Sequence, residues 1–281
     1  MISTGRRVVV GVDDGDNSLI AIDAAAAEAA RRGVPLHVVH ADPFATAAHS
    51  GAGPGAGPGA DPLPDGAGRW VDRAIRRAGF GHPYLTVTGE VVRGFPQPVL
   101  IAASRDAELV VIGDRGLGAL ARALAETVAG GLVLQASCPV LVTRGRGDPD
   151  GPVAVGVDGS ADSQSAIGFA FAEADLRRRR LAVVHAWTRP EQPVPGAAAS
   201  VRVEAERLVA ESSAGWCEKY PDVVVSDVLV HGHPRHALAD AVECASLMVV
   251  GMRGRSVPAG LGSVSRHLVY RAPCPVVVVS R

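Results

Sequence analysis

The two halves of the chain repeat one series of short motifs in the same order. The sequence VVVGVD at residues 8–13 recurs as VAVGVD at residues 153–158, 145 positions later. Near the end of each half, ASCPV at residues 136–140 recurs as APCPV at residues 272–276. The three pairs between these are residues 36–41 with 181–186, 92–96 with 230–234, and 110–116 with 248–254. Five matches in one order are hard to obtain by chance, so the sequence predicts two copies of one folding unit.

The length of the chain agrees with this duplication. A chain of 281 residues suits two domains of about 140 residues, a common size for a single domain. Between the copies, residues 145–151 (GRGDPDG) are polar and rich in turn-forming residue types. We therefore predict one domain at residues 1–146 and a second at residues 151–281.

Each half alternates short β-branched runs with alanine-rich segments of helical length. Strands are predicted near residues 8–13, 36–41, 85–92, 108–113 and 140–143, then 153–158, 181–186, 223–230, 246–251 and 276–280. Helices are predicted near residues 17–32, 68–79, 96–105 and 118–135, then 162–179, 198–219, 234–244 and 263–271. Strands that are apolar at nearly every position indicate burial on both faces. The pattern thus predicts an α/β fold of two tandem doubly wound, Rossmann-like domains, each with a five-stranded, mostly parallel sheet and helices on both faces.

The composition narrows the class of protein. The 28 basic and 29 acidic residues nearly cancel, so nothing points to a nucleic-acid or membrane-surface partner. No apolar run approaches the roughly 18 residues that a membrane span needs, and no signal peptide is expected. The four cysteines lack metal-ligand spacing, so we expect reduced, buried thiols in a cytoplasmic protein. Residues 42–68 contain a long run of Gly and Pro, and we predict a mobile loop there.

A glycine-rich segment in the second half is the first candidate for a ligand site. An apolar run ends at Gly251, the basic residues Arg253 and Arg255 follow, and GSVS at residues 262–265 begins a predicted helix. Glycines allow the backbone to approach a ligand closely, and the free amides and dipole at a helix start favour an anion. The order of strand, glycine-rich loop and helix therefore predicts a phosphate site.

Asp13 and Asp158 close the first strand of each half, at the same predicted sheet edge as Gly113 and Gly251. Ligands of doubly wound sheets bind beyond the carboxyl ends of the strands. Either aspartate could accept hydrogen bonds from a ribose hydroxyl or a base amino group. Either could equally shape a turn or cap a helix. The sequence allows both a ligand-binding and a purely structural role for these aspartates.

The sequence gives no sign of a catalytic machinery. No Gly-Lys-Ser/Thr of a Walker loop occurs, and the glycine segment does not match the GxGxxG fingerprint that follows a first strand. His40 and His185 end the second strands, and we interpret them as core histidines near the site. No nucleophile recurs with His and Asp partners, and no carboxylate pair recurs at a spacing suited to acid–base catalysis. We therefore expect no catalytic residues, no metal site and no enzyme activity.

Taken in order, the VGVD strand, the VHA strand end, the V-x-G-x-P turn, the G-x-x-G loop and the A-x-C-P-V ending resemble the universal stress protein family in its tandem two-domain form. The resemblance covers essentially the whole chain. In ATP-binding members, the pattern G-x2-G-x9-G-[ST] holds the phosphates, and the first-strand aspartate and second-strand backbone hold adenosine. For the second half, the resemblance implies contacts from Val157, Asp158, Ala186, Gly251, Met252, Arg253, Gly254, Gly262, Ser263, Val264 and Ser265. For the first half, it implies contacts from Asp13, Ala41, Gly113 and Gly116.

Both halves depart from the family pattern. In the second half only seven residues, Pro258 among them, separate Gly254 from Gly262. In the first half, Glu126 and Thr127 stand where the pattern has Gly-Ser. A carboxylate at the phosphate position repels an anion by roughly 1 to 4 kcal/mol, depending on the local dielectric. We therefore expect ATP chiefly in the second half, and weak or no ATP binding in the first.

The resemblance implies a cytoplasmic, nucleotide-responsive stress regulator that binds ATP, with or without Mg²⁺. It also implies that the last strands of the two halves pair as an intramolecular pseudo-dimer, with a homodimer and a protein partner as further expectations. One alternative is a degenerate member that binds no nucleotide and serves as an interaction scaffold. A weaker alternative is a slow ATPase.

Overall fold

A computed structural model describes residues 7–13, 15, 17–45, 49–51, 66–114, 128–145, 147–188, 197–254 and 260–280. The chain divides into two compact units, which we call unit 1 (residues 1–143) and unit 2 (residues 144–281). Within the described residues, no helix is both long and apolar enough to cross a lipid bilayer.

Unit 1 is a parallel sheet with one short antiparallel edge strand. Its strands are β1 (Val8–Val12), β2 (Leu36–Asp42), β3 (His49–Gly51), β4 (Val87–Arg93), β5 (Leu109–Gly113) and β6 (Val140–Thr143). Its helices are α1 (Asn17–Arg32), α2 (Ala67–Gly81) and α3 (Pro96–Ala103), followed by a 3-10 turn at Ser104–Asp106 and by α4, described over residues 128–135. The strand order is β3-β4-β2-β1-β5-β6, and only β3 runs antiparallel to its neighbour.

Unit 2 repeats this arrangement without the edge strand. Its strands are β7 (Val153–Gly156), β8 (Leu181–Trp187), β9 (Val225–His231), β10 (Leu247–Gly251) and β11 (Val276–Val279). Its helices are α5 (Ala161–Arg177), α6 (Ala197–Lys219), α7 (Pro234–Ala241) and α8 (Ser263–Arg271). The strands follow the order β11-β10-β7-β8-β9, and all neighbours in it are parallel.

The central strands form because their residues suit burial on both faces. All five residues of β10 are buried, and so are all four of β11, which is a run of valines. Such strands need helices on each side of the sheet. Helix α2 shows the matching pattern, because its buried residues Val71, Ala74 and Ala78 recur at helical spacing on one side. The predicted fold class is confirmed.

Two expectations about local structure change. The segment at residues 42–68 is not irregular throughout, since residues 49–51 form strand β3. This strand pairs with β4, whose backbone would otherwise be the unpaired edge of the sheet. Residues 46–48 and 52–65 lie outside the described residues, and so does most of the predicted mobile loop. The cysteines also divide: Cys138 and Cys274 are buried, whereas Cys217 and Cys244 are exposed. Burial raises the pKa of Cys138 to about 11 and that of Cys274 to about 12, which keeps both thiols protonated.

In each unit the first strand lies in the middle of the sheet. From β7 the chain proceeds to β8 on one side and later returns to β10 on the other. Such a reversal opens a crevice at the carboxyl ends of the two central strands, where doubly wound folds bind ligands. The corresponding strands in unit 1 are β1 and β5.

Candidate functional site

The turn after β7 holds Asp158 and begins helix α5. The amide of Ser160 donates a 2.9 Å hydrogen bond to Asp158 Oδ1, and Gly159 between them adopts a positive φ of 76°. Ser160 itself caps the helix, since its Oγ accepts a hydrogen bond from the Ser163 amide at 3.2 Å. Asp158 thus shapes the turn with one carboxylate oxygen, as an aspartate commonly does in this kind of turn. Its second oxygen, Oδ2, lies near Gly254, in the loop between β10 and α8, which we call the glycine loop.

The structure brings Asp158 and the glycine loop together. A Cβ atom built on Gly254 would lie 2.7 Å from Asp158 Oδ2, so any side chain at position 254 would displace the carboxylate. Two hydrogen bonds fix the loop against the start of α5. The Arg253 amide donates to Asp162 Oδ2 at 3.1 Å, and Ser160 Oγ donates to the Arg253 carbonyl at 3.4 Å. The carboxylate and the loop backbone therefore form one surface at the carboxyl ends of β7 and β10.

Gly251 has a steric role that the sequence did not reveal. A Cβ atom at this position would lie 2.6 Å from the backbone carbon of Asp162 and 2.7 Å from its carbonyl oxygen. Backbone atoms in a helix cannot move aside easily, so the close packing of β10 against α5 requires glycine. The resemblance implies a ligand contact for Gly251, but packing within the protein already explains why this residue has no side chain.

Helix α8 begins without a side-chain cap. Its N-cap residue is Gly262, whose amide donates to the Met252 carbonyl at 3.0 Å. Met252 is itself buried and bonded, through its amide, to the Val279 carbonyl at 2.9 Å. Ser263, Val264 and Ser265 form the first turn, and the amides of such a turn have no acceptor within their own helix. An anion at this point would be favoured by these donors and by the helix dipole.

The hydroxyl of Ser265 faces the protein interior. Ser265 is buried, and its Oγ donates a 2.7 Å hydrogen bond to the carbonyl of Gly251 at the end of β10. The bond ties the first turn of α8 to the strand that precedes the loop. The hydroxyl proton of Ser265 is thus used inside the fold, so the contact that the resemblance implies for Ser265 would have to come from its backbone amide. Ser263, by contrast, is exposed at the helix start.

Ser265→Ala should lower the stability of unit 2. The substitution leaves the carbonyl of Gly251 without the hydroxyl donor, a loss that costs about 1–2 kcal/mol at a buried site. Ser263→Ala is the matched control, because a surface substitution usually changes stability by less than about 0.5 kcal/mol. Urea unfolding of both variants measures the difference. Equal midpoints would contradict the structural role assigned to Ser265.

The second strand of unit 2 extends beyond the first. The last register pair between β7 and β8 is Gly156 with Val184, whereas β8 stays paired with β9 as far as Trp187 with His231. Ala186 therefore lies in a part of β8 that has a strand neighbour on one side only. A backbone edge open in this way can bind the edge of a base, and the contact of Ala186 with a ligand stays a prediction.

His185 stabilises the end of β7. Its Nδ1 lies 2.7 Å from the carbonyl oxygen of Val157, and since a carbonyl can only accept, Nδ1 must carry the proton. His40 makes the same contact in unit 1, with Nδ1 2.9 Å from the Val12 carbonyl. The duplicated contact supports the interpretation of both residues as structural. It also leaves Nε2 of a neutral His185 as a hydrogen-bond acceptor.

A cavity of about 560 Å³ opens next to the Asp158 turn, between β8 and helices α5 and α6. Gly159, which directly follows Asp158, is part of its lining, together with His185 and Trp187 from β8. The indole ring of Trp187 contacts His231 edge to face, with ring centroids 4.8 Å apart. Sequence reasoning missed Trp187. A comparison of the two copies could have found it, because the residue 145 positions earlier is Asp42 and not an aromatic.

Asp13 occupies the matching turn in unit 1. Asp13 Oδ1 accepts hydrogen bonds from the Ser18 hydroxyl at 2.5 Å and from the Gly15 amide at 2.9 Å. The adjacent cavity measures only about 10 Å³, and the side chains of Trp70 and Arg73 from α2 help to line it. This space is too small for any ligand group larger than a water molecule.

The other residues expected in unit 1 fall partly outside the described part of the chain. Gly113 ends β5 in register with Thr143, and Ala41 lies in β2 in register with Val92. Gly116, Glu126 and Thr127 in unit 1, and Arg255 and Pro258 in unit 2, lie outside the described residues. The repulsion between the Glu126 carboxylate and a phosphate therefore stays a prediction.

A histidine cluster lies where α7 packs on α8. The rings of His236 and His267 are 5.0 Å apart, and those of His233 and His236 are 6.2 Å apart. Desolvation, followed by the nearby His236, Arg235 and Arg271, lowers the pKa of His267. Within the residues that the structure describes, no group of three His, Cys, Asp or Glu side chains is arranged to hold a metal ion.

Comparison with known proteins gives a consistent result. The family model described as the universal stress protein family matches the chain twice, at residues 5–144 and 151–280. Universal stress protein Rv2005c of Mycobacterium tuberculosis is 40% identical over 283 residues, covering 96% of each chain. Universal stress protein Rv2623 of the same organism is 35% identical over 295 residues, covering 96% of this chain and 95% of that protein. A solved universal stress protein from Archaeoglobus fulgidus has a similar fold, with a TM-score of 0.60 and 20% identity over 100% of this chain and 97% of that chain.

Proposed function

The chain belongs to the universal stress protein family, and from that premise and the geometry of unit 2 we propose that it binds ATP in unit 2 and acts as a nucleotide-responsive stress regulator. The observation that carries the proposal is the meeting of two features in one crevice. The carboxylate of Asp158 lies against Gly254, and the uncapped first turn of α8 follows the same loop. A carboxylate that accepts hydroxyl protons beside amides that bind an anion suits a nucleotide.

Each end of the nucleotide has a group suited to it. Asp158 Oδ2 would accept a hydrogen bond from a ribose hydroxyl, and the open backbone edge at Ala186 would meet the adenine. The amides of Ser263 and Val264 would donate to phosphate oxygens. The guanidinium Nε of Arg253 is buried and has no hydrogen-bond partner among the described residues, so a phosphate oxygen would give it an acceptor. A Mg²⁺ ion, if it accompanies ATP, would be bound chiefly through the phosphates.

Unit 1 is proposed to bind ATP weakly or not at all. Its cavity beside Asp13 is small, about 10 Å³, and Asp13 Oδ1 accepts two hydrogen bonds. Opening that site would require Trp70 and Arg73 to move. We therefore propose that unit 1 mainly supports the fold of the protein, which agrees with the repulsion expected from Glu126.

Regulation would work through a shift in population. ATP that favours an ordered loop in unit 2 would raise the fraction of molecules in the conformation that a protein partner, or a second copy of the chain, recognises. Pairing of the last strands of the two halves, homodimer formation and a cytoplasmic location belong to the same proposal. We propose no turnover of ATP, in line with the sequence, in which no nucleophile recurs with His and Asp partners.

Asp158→Ala should weaken ATP binding about tenfold or more. The change removes an acceptor whose hydrogen bonds to ligand hydroxyls, being made by a charged group, are worth about 1.5–3 kcal/mol. Isothermal titration calorimetry with ATP, below the melting temperature of each variant, measures the affinity. Asp13→Ala is the matched control in unit 1 and should leave the affinity unchanged.

The same titration separates the alternatives. Wild-type protein should bind one ATP per chain. Absence of any calorimetric or thermal-shift response to ATP, AMP or cyclic AMP would reject the regulator and favour a scaffold that acts through protein contacts alone. Steady release of phosphate that disappears in Asp158→Ala would favour an ATPase instead.

A further inference from the structure

The sheet of unit 2 ends in a strand with one neighbour. Among the described residues, β9 pairs with β8 and with no other strand, over Val225–His231. The matching strand of unit 1, β4, is paired along both edges, with β2 on one side and β3 on the other. The two units therefore differ at the outer edge of the sheet.

The backbone groups that face this outer edge follow from the bonds on the other side of β9. The Leu181 amide donates to the Val224 carbonyl at 2.9 Å. At the other end, the Gly232 amide donates to the Trp187 carbonyl at 2.9 Å, so the even-numbered positions of β9 face β8. Successive residues of a strand direct their amides and carbonyls to opposite edges. The residues whose backbone groups face outwards are therefore Val225, Asp227, Leu229 and His231.

Unit 1 pairs the corresponding groups with an antiparallel strand. Strand β4 has the same orientation as β9, because the Gly94 amide donates to the Asp42 carbonyl at 3.1 Å. The counterparts of Asp227 and Leu229, 138 positions earlier in β4, lie opposite residues of β3, which runs antiparallel to β4. The edge of β9 thus presents the same backbone groups that receive an antiparallel strand in the other copy.

Strand β9 also leaves apolar side chains partly exposed. Val87 and Val91 of β4 are 8% and 4% exposed, whereas their counterparts Val225 and Leu229 are only half-buried. Val224, directly before the strand, is 59% exposed. Natural proteins usually protect an outer strand with proline or lysine, and the seven residues of β9 include neither. An edge of this kind favours the addition of a strand from another chain.

The charges along the edge suit a second copy of the same strand. If two β9 strands run antiparallel about a two-fold axis at Leu229, Asp227 of each copy lies opposite His231 of the other. Both side chains are exposed, and a carboxylate opposite an imidazole that can donate a hydrogen bond is a favourable cross-strand pair. The same register places the outward amide and carbonyl of Leu229 opposite their symmetry mates. An axis at Asp227 would instead place two carboxylates opposite each other.

We propose that β9 is a homodimer interface, at which two copies of the chain pair antiparallel about Leu229 and join their unit 2 sheets. The contact is isologous, so the same residues serve in both copies and the assembly closes at two chains. This inference rests on the proposed function in one respect, since it names the surface of the homodimer that was included there.

Sedimentation velocity over a wide range of chain concentrations tests the interface. The wild-type protein should change from monomer to dimer as concentration rises. Leu229→Pro should weaken the dimer about tenfold or more, because it removes the outward amide in both copies. Proline is tolerated in an edge strand where the amide faces outwards, so the variant should fold, which circular dichroism checks. Leu229→Ala keeps the amide and is the matched control, expected to dimerise within about threefold of the wild-type protein.

A charge exchange tests the register and serves if Leu229→Pro does not fold. His231→Asp places a carboxylate opposite Asp227 of the other copy, so the dimer should weaken about tenfold. Adding Asp227→Arg to this variant restores two pairs of opposite charge and should recover most of the loss. Both variants lack the histidine ring beside Trp187, so their difference reports the charge pair alone. A double variant no stronger than His231→Asp would contradict the register.

A monomer at every concentration, or a dimer that Leu229→Pro does not weaken, would overturn the inference. Calorimetric titration with ATP separates this result from the proposed function. If the wild-type protein stays monomeric but binds ATP, the interface is wrong and nucleotide binding stands. If Leu229→Pro weakens the dimer and no variant binds ATP, the interface is right and nucleotide binding is wrong.

Discussion

Gly262→Glu is expected to weaken ATP binding by about 5- to 1,000-fold. The substitution places in unit 2 the carboxylate that unit 1 carries 136 positions earlier, at Glu126. Two anions a few ångströms apart repel each other by roughly 1 to 4 kcal/mol, depending on the local dielectric. The fold should survive, because a carboxylate at the start of α8 interacts favourably with the helix dipole. Calorimetric titration with ATP measures the loss.

Gly262→Ala is the matched control for this prediction. A Cβ atom on Gly262 would lie 3.4 Å from the Met252 carbonyl oxygen and 3.5 Å from the Gly254 amide nitrogen. These are ordinary van der Waals distances, and the φ of −57° and ψ of 151° at Gly262 suit alanine. Equal ATP affinity in the alanine and glutamate variants would show that phosphates do not bind at the start of α8.

Gly251→Ala is expected to destabilise unit 2 by about 3 kcal/mol, near the upper end of the usual cost of overpacking. The added methyl group would lie 2.6 Å from the backbone of Asp162, so β10 and α5 must separate. Separation would also move the loop away from Asp158, so ATP binding should fall together with stability. Urea unfolding gives the change in stability, and the ATP titration gives the change in affinity.

Gly156→Ala controls for the general cost of alanine at a strand end. Gly156 ends the neighbouring strand β7, and a Cβ atom there would lie 3.2 Å from Cε of Met248. The end of a methionine side chain can turn away, so the cost should stay below about 1 kcal/mol. A Gly251→Ala variant as stable as Gly156→Ala would contradict the close packing of β10 on α5.

The fold could be predicted because strand burial and duplication are both visible in the sequence. Helix α8 begins at Ser263 and ends at Arg271, as expected from its pattern. One boundary differs from the prediction. The first strand of unit 2 was expected at residues 153–158, but β7 ends at Gly156, so Asp158 belongs to the turn and not to the strand. Its carboxylate can therefore shape the backbone with Oδ1 while Oδ2 faces Gly254.

The roles of individual residues at the site were harder to predict because they depend on contacts distant in sequence. Gly251 resembles a loop glycine until its distance to Asp162 is known, and Ser265 resembles a phosphate ligand until its bond to the Gly251 carbonyl is seen. The cavity beside Trp187 depends on helix α6, whose position the sequence does not specify. Neither periodicity nor motif spacing reports the volume between a helix and a sheet.

The amide of Gly232 donates a hydrogen bond to the Trp187 carbonyl, and the amide of Gly94 donates the same bond to the Asp42 carbonyl. Only backbone atoms take part, so the backbone at the end of the second strand does not depend on which side chain stands there. The side chains at this corner can therefore differ between the halves while the same backbone hydrogen bond is kept in both. In protein engineering, Asp42 and Arg93 of unit 1 could therefore be replaced by Trp and His, the pair found in unit 2. The side chains would change while the backbone stays the same.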